Sequence, residues 1–217
     1  MKITKLSYSL SEETPSYGSK HNFIIKAEKS INNGDSSNSY ILNFLNHMGT
    51  HIDAPNHFFD KGKKISDYKP NDFIFYNPQI VDVNLSDFNE ISHKTIEKKL
   101  NKNSDIIFFR TYFNKFRKEE RFVKNYPVFC SKLALDLKEN FLNLKSIGLD
   151  IISLTSPINR EEGTRCHKIF LNDTSNEIFI IEDMFLDNYH QHIKKILVVP
   201  FDIKNIDSAP CTVYGIY

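Results

Sequence analysis

The 217-residue sequence is poor in cysteine and has no long hydrophobic run. Its three cysteines, Cys130, Cys166 and Cys211, are widely spaced and odd in number, which argues against a disulfide framework or a paired-cysteine zinc motif. Such sparse cysteine use is typical of a reducing, cytoplasmic setting. The longest clearly apolar stretch, residues 196–201, is far too short to span a membrane. The first twenty residues contain no apolar run, so a secretory leader is not expected.

The sequence also lacks an excess of charge of either sign. Its 28 Lys and Arg residues and 27 Asp and Glu residues leave a formal net charge of +1, and the basic residues form no block. Proteins that bind nucleic acid depend on clustered Lys and Arg for much of their affinity. The composition therefore predicts neither a nucleic-acid partner nor a membrane partner.

The length and the local patterns predict one α/β domain over residues 1–217. A chain of this size can bury a substantial core, and no repeat or linker divides it. Apolar strand-like runs, as at residues 105–110 and 147–152, are interleaved with helix-like segments at residues 92–100 and 131–140. This interleaving is typical of an α/β fold, with many of the strands expected to pair antiparallel.

The clearest chemical signal lies between His47 and His57. Three of the eight histidines fall within these eleven residues, together with Asp53. His47 and His51 are four residues apart, so they can share a face in a helix or a strand, and Asp53 continues that face only if the chain is extended. Imidazole and carboxylate ligands together suit zinc, manganese or iron. Met48 stands where a helical zinc protease would need its glutamate base.

A metal centre would need further ligands from elsewhere in the chain, and two residues are candidates. His167 follows a charged cluster and opens an apolar run, which suggests the start of a helix. Glu182 ends the apolar run 178–181, where a carboxylate would be costly to bury without a cation or hydrogen-bond donors. Taken alone, each also has an ordinary interpretation: a helix-start histidine and a solvated glutamate at a strand end.

Residues 44–59, Phe-Leu-Asn-His-Met-Gly-Thr-His-Ile-Asp-Ala-Pro-Asn-His-Phe-Phe, resemble the signature of the cyclase family of metal-dependent hydrolases. This family includes bacterial kynurenine formamidase and isatin hydrolase, and its pattern H-x-G-T-H-x-D-x-P-x-H-F is met at every fixed position. The resemblance continues along most of the chain. The further matching segments are Phe-Arg-Thr at 109–111, Gly-x-Asp-x-x-Ser at 148–153, His167 with Phe-Leu at 170–171, Ile-Ile-Glu-Asp at 180–183, and Asp-Ser-Ala-Pro at 207–210.

The resemblance implies a fold, an assembly and a set of metal ligands. The fold is a swivelling β/β/α single domain of the cyclase/kynurenine formamidase type, with a mixed sheet and flanking helices, assembled as a homo-oligomer (dimer or tetramer). His47, His51 and Asp53 are implied to hold one divalent ion together with Glu182. Asp53, His167 and Glu182 are implied to hold a second ion where two are present. Zinc is expected first and manganese second.

The resemblance also implies a reaction, in which a small non-peptide amide is hydrolysed by metal-activated water. His57 is the implied general acid/base, because an amide nitrogen leaves only with a proton and an imidazole can supply one. A second possible role for His57 is that of a further ligand or a supporting contact. The competing enzyme classes are a cyclic amide or lactone hydrolase and a biosynthetic cyclase or dehydratase. A catalytically inactive metal- or ligand-binding protein is the competing non-enzyme interpretation.

Two residues are predicted to contact the small-molecule substrate. The family's formamidases carry a tryptophan in an early loop that lines the pocket, whereas this chain has no Trp and Tyr17 lies near that place. Arg110 is predicted either to bind a substrate carboxylate or to brace the fold, and the sequence leaves both roles open.

The spacing around His167 differs from the family pattern. The interval from His167 to Glu182 is longer than expected, with residues 172–176 as the inserted segment, so Glu177 is a second candidate for the ligand role of Glu182. Cys166 stands beside His167 and invites a cysteine-nucleophile interpretation. The sequence supplies no neighbouring triad for a nucleophilic cysteine, so we do not favour that role.

Overall fold

The computed structural model describes residues 2–85, 89–96, 98–172, 176–187, 189 and 192–217. The strands are β1 (Ile3–Lys5), β2 (Ile24–Lys29), β3 (Ser39–Asn43), β4 (His51–Asp53), β5 (Ile74–Phe75), β6 (Pro78–Asp82), β7 (Glu90–Ile91), β8 (Ile106–Arg110), β9 (Val128–Phe129), β10 (Ser146–Leu149), β11 (Phe179–Glu182), β12 (Lys195–Pro200) and β13 (Ser208–Ile216). The α-helices are α1 (Arg121–Lys124), α2 (Ser131–Asn140) and α3 (Arg160–Leu171). Short 3-10 turns are found at Tyr17–Ser19, Ile31–Asn33, Pro55–His57, Ile65–Asp67, Pro70–Phe73 and Phe113–Phe116.

Within the described ranges, each helix falls short of the length and apolar character needed to cross a membrane.

Nine strands form one large mixed sheet. Its order is β5-β12-β13-β4-β11-β10-β8-β6, with β1 paired to β13. The four strands β6, β8, β10 and β11 are parallel, whereas β4, β13, β12 and β5 each run antiparallel to their neighbours. This arrangement confirms the expected α/β class with a mixed sheet and flanking helices. Strand β4, which carries the histidine motif, lies where the parallel and antiparallel halves meet.

The sheet is covered on both faces, so β8, β10 and β11 are apolar at most positions and carry their polar residues at their ends. In β8, Ile107 and Phe109 enter one core cluster while Ile106 and Phe108 enter the other. A strand buried on both sides is expected to be a continuous hydrophobic run of this kind. The cluster with Ile107 and Phe109 also contains the buried side chains of α2 and α3, which places both helices over the same face.

Two helix expectations are corrected by the structure. Helix α3 begins at Arg160 rather than at His167, because Asn159 caps it by accepting a hydrogen bond from the Glu162 backbone N–H and acidic residues in the first turn suit the helix dipole. The helix expected over residues 92–100 is not found: residues 92–95 form a turn, Ile96 forms a β-bridge to Val83, and residues 98–100 are irregular, with Glu97 outside the described residues. Instead, Thr95 Oγ1 bonds locally to Ser92. The helix expected over residues 131–140 is confirmed.

Candidate metal centre and active site

Strand pairing brings three predicted ligands onto one face of the sheet. In the register of β4 and β11, His51 stands opposite Glu182. Asp53 lies two residues beyond His51, and since side chains in a strand alternate between faces, His51 and Asp53 point the same way. All three residues are buried, with relative exposures of 2%, 0% and 3% for His51, Asp53 and Glu182. The extended chain that the sequence required for Asp53 to share this face is therefore present.

Helix α3 adds His167 from above that face. His167 Nε2 lies 3.4 Å from Glu182 Oε1 and 3.8 Å from Asp53 Oδ2. His51 Nε2 lies 3.3 Å from Glu182 Oε2 and 3.7 Å from Asp53 Oδ1. Helix α3 packs closely against the Thr155 backbone because residue 163 is glycine, where a Cβ atom would come within 2.4 Å of Thr155 Cα. These four side chains thus converge on one small volume.

His47 reaches the same volume from the turn that precedes β4. Its Nδ1 lies 3.1 Å from Asp53 Oδ1. Gly49 makes this turn with a φ of +66°, and a side chain there would also meet Leu10, with its Cβ 2.5 Å from Leu10 Cδ2. The Gly49 carbonyl then lies 2.8 Å from His51 Nδ1. The Gly-Thr of the motif therefore shapes the turn that brings both histidines to Asp53.

Contacts on the far side of two imidazoles fix which nitrogen faces the centre. His51 Nδ1 donates to the Gly49 carbonyl, and His167 Nδ1, 3.0 Å from the Gly163 carbonyl, donates there, because a carbonyl can only accept. In a neutral imidazole, each Nε2 is then an acceptor that faces carboxylates. Three buried atoms in this space, His51 Nε2 and both Asp53 carboxylate oxygens, have no hydrogen-bond partner among the described residues. Acceptors that face acceptors need a proton or a cation between them, so the donor set fits a divalent metal.

The electrostatics of the cluster show the same need for positive charge. Burial by itself would lower the pKa of His47, but nearby carboxylates, Asp53 first among them, raise it to about 10. Burial would raise the pKa of Glu182, but His167 and His51 lower it to about 2. The carboxylates thus favour the protonated form of His47, and a metal ion bound by His47 would displace that proton.

A further carboxylate, Asp207, joins the site immediately before β13. Its Oδ2 lies 2.7 Å from His57 Nδ1 and 2.9 Å from His47 Nε2, and its Oδ1 accepts a hydrogen bond from Asn46 at 2.8 Å. Burial would raise the pKa of Asp207, but the hydrogen bonds from His47 and His57 hold it well below its usual range. The sequence predicted no role for Asp207. The only signal that could have found it is its place at the head of the Asp-Ser-Ala-Pro segment.

His57 stands at the edge of this cluster rather than inside it. The Pro55–His57 turn carries it, and its side chain is 26% exposed. Its Nδ1 is engaged by Asp207, while Nε2 makes no hydrogen bond to any described residue. One atom each from His47, Asp53 and His57 also lie within 4.8 Å of one another. The position therefore suits either proton transfer or a further ligand, the two roles that the sequence left open.

A cavity of about 320 Å³ opens onto these side chains. Phe58 stacks on His167 in its wall, with ring centroids 4.8 Å apart. Tyr17, predicted to contact the substrate, also lines it. The full lining is Tyr17, Leu45, His47, His51, His57, Phe58, Ile152, Ser153, Thr155, Thr164, His167 and Glu182.

The structure does not bring Arg110 to this cavity. Its Nε donates to Asp82 Oδ1 at 2.6 Å, and its guanidinium lies over the Tyr112 ring. The sequence left two roles open for Arg110, and these contacts support the one in which it braces the fold. Arg110 is not among the residues that line the cavity.

Glu177 and Cys166 also lie away from the cluster. Glu177 forms an ion pair with Lys63 at 2.6 Å, so the structure brings Glu182 and not Glu177 to the histidines. Residues 173–175 of the inserted segment lie outside the described residues. Cys166 is buried and its thiol donates to the Phe129 carbonyl. Burial raises the pKa of Cys166, which disfavours the thiolate that a nucleophile requires.

Comparison with known proteins gives the same family as the motif. The family model described as "Putative cyclase" matches residues 4–155. The kynurenine formamidase of Bacillus thuringiensis (strain Al Hakam) is 29% identical over 165 residues, which are 76% of this chain and 73% of that protein.

Solved structures share the fold over nearly the whole chain. Isatin hydrolase A from Labrenzia aggregata superposes with a TM-score of 0.79 at 16% identity, covering 99% of this chain and 93% of the other. A "predicted metal-dependent hydrolase" from Bacillus stearothermophilus gives a TM-score of 0.77 at 19% identity, covering 99% and 97%. With a family model that spans well over half of its residues, the chain belongs to the cyclase family of metal-dependent hydrolases.

Proposed function

We propose that this protein hydrolyses a small non-peptide amide, an aryl formamide or a cyclic aryl amide, with a divalent metal ion. One observation carries the proposal: His51 Nε2 and both oxygens of Asp53 are buried, converge on one volume and have no hydrogen-bond partner within the described part of the chain. Leaving such groups unpaired is costly. A cation bound by these atoms removes that cost and accounts for the arrangement.

The ligands that we propose are those that the resemblance to the family implies. Two groups of potential ligand atoms support them, one from His51, Asp53 and Glu182 and one from His47, Asp53 and His57, each within 4.8 Å of one another. His47, His51 and Asp53 would hold one ion together with Glu182, and Asp53, His167 and Glu182 would hold a second where two are bound. Zinc is the first candidate and manganese the second, since two or three imidazoles with carboxylates suit both. A bound divalent ion would lower the pKa of a water molecule and polarise the substrate carbonyl.

His57 and Asp207 would move the proton. The Asp207 carboxylate accepts the Nδ1–H of His57, which orients the ring and leaves Nε2 to exchange protons. Nε2 would take a proton from the attacking water and deliver it to the leaving nitrogen. This is the arrangement of a base oriented by a carboxylate that recurs in hydrolases of unrelated fold.

The relatives suggest the substrate class. Proteins similar to this chain are named kynurenine formamidase and isatin hydrolase, and their substrates share an aromatic ring with an amide nitrogen attached. An aryl formamide such as N-formylkynurenine, a tryptophan breakdown product, and a cyclic aryl amide such as isatin are therefore the first substrates to test. We place the activity in the cytoplasm, which the three unpaired cysteines support.

A homo-oligomer, dimer or tetramer, is supported by the β2–β3 hairpin. Among the described strands, these two pair only with each other, and they expose five large apolar side chains: Ile24, Ile25, Tyr40, Ile41 and Leu42. A two-stranded hairpin is at best marginally stable in water alone. Because side chains alternate between the faces of a strand, Ile25, Tyr40 and Leu42 share one face of the hairpin, and exposed apolar side chains that lie together are typical of a contact surface. A second copy of the chain is the occupant that we propose.

The test is metal removal and reconstitution combined with the His57→Ala variant. Chelation should abolish hydrolysis, and zinc or manganese should restore it. His57→Ala should retain its metal content but lose about a hundredfold to ten-thousandfold in kcat, whereas His93→Ala, at an exposed histidine paired with Asp136, should behave like the unmodified protein. Hydrolysis that survives complete metal removal would contradict the proposal. Loss of metal from His57→Ala would assign His57 as a ligand instead.

A further inference from the structure

The cavity has a charged end and an uncharged remainder. Its charged end is the histidine–carboxylate cluster, where the scissile amide must lie. The remaining walls are formed by Tyr17, Leu45, Phe58, Ile152, Ser153, Thr155 and Thr164. The part of a substrate that packs against these walls therefore meets apolar side chains and hydroxyl groups.

No lysine or arginine lines this cavity, and all 28 of them fall within the described residues. The half-buried guanidinium groups are engaged elsewhere: Arg110 binds Asp82, and Arg117 makes two hydrogen bonds to Asp183, at 2.6 and 3.1 Å. Among the described residues, no carboxylate other than Glu182 lines the cavity, so the walls also lack a partner for an ammonium group.

The walls carry four hydroxyl groups, and two of them contact residues of the histidine–carboxylate cluster. Ser153 Oγ donates to Glu182 Oε1 at 3.2 Å, and Thr155 Oγ1 lies 3.0 Å from His167 Nδ1. Tyr17 and Thr164 remain as polar groups that can hydrogen-bond a ligand. Hydroxyl groups satisfy a neutral carbonyl well, but they compensate poorly for the dehydration of an ionised carboxylate or ammonium group.

We propose that the substrate is a neutral aryl amide, with no ionised group on the part that faces these walls. This inference rests on the proposed hydrolase function and narrows it. Neutral aryl formamides and isatin-like cyclic amides meet the requirement. N-formylkynurenine does not, because it carries an α-amino acid with both an ammonium group and a carboxylate.

A matched pair of substrates tests the inference on the metal-loaded, full-length protein. 2′-Formamidoacetophenone has the same ring, ketone and formamide as N-formylkynurenine and lacks only the amino-acid tail. We expect its kcat/KM to exceed that of N-formylkynurenine by about tenfold or more. Binding of the products, 2′-aminoacetophenone and kynurenine, measured by calorimetry, should show the same order without depending on turnover.

A charge-introducing variant sharpens the test. Leu45 lines the cavity and is 37% exposed, so an arginine there can stay hydrated while it reaches a bound carboxylate. Leu45→Arg should shift the kcat/KM ratio toward N-formylkynurenine by about tenfold. The matched control is Leu142→Arg, at a side chain that is 79% exposed and outside the cavity, and it should leave the ratio unchanged.

The possible outcomes separate this inference from the function on which it rests. Equal kcat/KM values, or a preference for N-formylkynurenine, would overturn the neutral-substrate inference and leave the hydrolase standing. Hydrolysis of neither substrate, nor of isatin, by the zinc- or manganese-loaded protein would overturn the proposed function and the inference with it. If Leu45→Arg fails to fold by circular dichroism, the comparison of substrates and products on the unmodified protein still decides the question.

Discussion

Asp53 and Asp150 are both fully buried carboxylates at the ends of strands in the same sheet, yet their surroundings differ. Asp150, just after β10, accepts hydrogen bonds from the Thr111 N–H, the Thr111 hydroxyl and the Tyr112 N–H, at 2.6 to 2.9 Å. Asp53, at the end of β4, accepts none from the described residues. Its charged neighbours are imidazoles, and His47 is the first of them.

The pKa values of the two aspartates reflect this difference. Burial raises the pKa of Asp150 to about 6, although its three donors pull the value down. Burial would raise the pKa of Asp53 as well, but the charges of His47 and His57 hold it well below the usual range. Burial alone therefore does not assign a role to a carboxylate. The donors around it distinguish the two: Asp150 is satisfied by hydrogen bonds from the protein and braces a turn, while Asp53 is the carboxylate that we propose as a metal ligand.

The largest effect is expected from Asp53→Asn. The amide is a weaker ligand and brings its own N–H donors into the cluster, so we expect the metal content to fall and kcat/KM to drop by more than about a thousandfold. Metal analysis and steady-state kinetics measure both changes. Asp60→Asn, at an exposed aspartate in the same segment, is the control. An Asp53→Asn protein that keeps both metal and activity would mean that Asp53 is a structural carboxylate like Asp150.

Asp150→Ala should affect stability without affecting the metal. Removing the carboxylate leaves the Thr111 and Tyr112 donors without their partner, and Tyr112 is held at a φ of +57° in this turn. We expect the free energy of unfolding to fall by about 2–4 kcal/mol, measured by denaturant titration, while the bound metal per chain stays constant. Asp150→Asn, which keeps one acceptor oxygen, should lose less. Unchanged stability in Asp150→Ala would remove the contrast on which the comparison depends.

Local spacing predicted that the metal-capable side chains of the motif lie together, because the motif is short. His47, His51 and Asp53 lie within seven residues, and one turn and one strand decide where they point. Glu182 was predicted from the cost of burying a carboxylate at the end of an apolar run. The register of β4 and β11 supplies the partner that this argument required.

What the sequence did not predict depends on contacts between distant segments. Asp207 lies 150 residues from His57, and it reaches the site only because β13 pairs with β4, where Ser208 stands opposite Asp53. The start of α3 was placed wrongly because the charged residues 160–165 resemble a surface loop. They form the first turns of the helix, whose cap and acidic first turn are visible in the sequence once the helix is known.

Asp207 is intermediate between Asp53 and Asp150. Like Asp150, it is hydrogen-bonded by protein side chains, but two of these are His47 and His57 of the proposed active site. Asp207→Asn replaces an acceptor shared by His57 and His47 with an amide that can turn a donor toward one of them. We expect kcat to fall by about tenfold to a hundredfold, with KM and metal content little changed, since the wall residues and four of the proposed ligands are untouched. Asp207→Glu should restore part of the loss, and Asp202→Asn, at an exposed aspartate nearby in sequence, should have no effect. A fall in metal content that matches the fall in kcat would show that Asp207 acts through His47 and the metal rather than through His57.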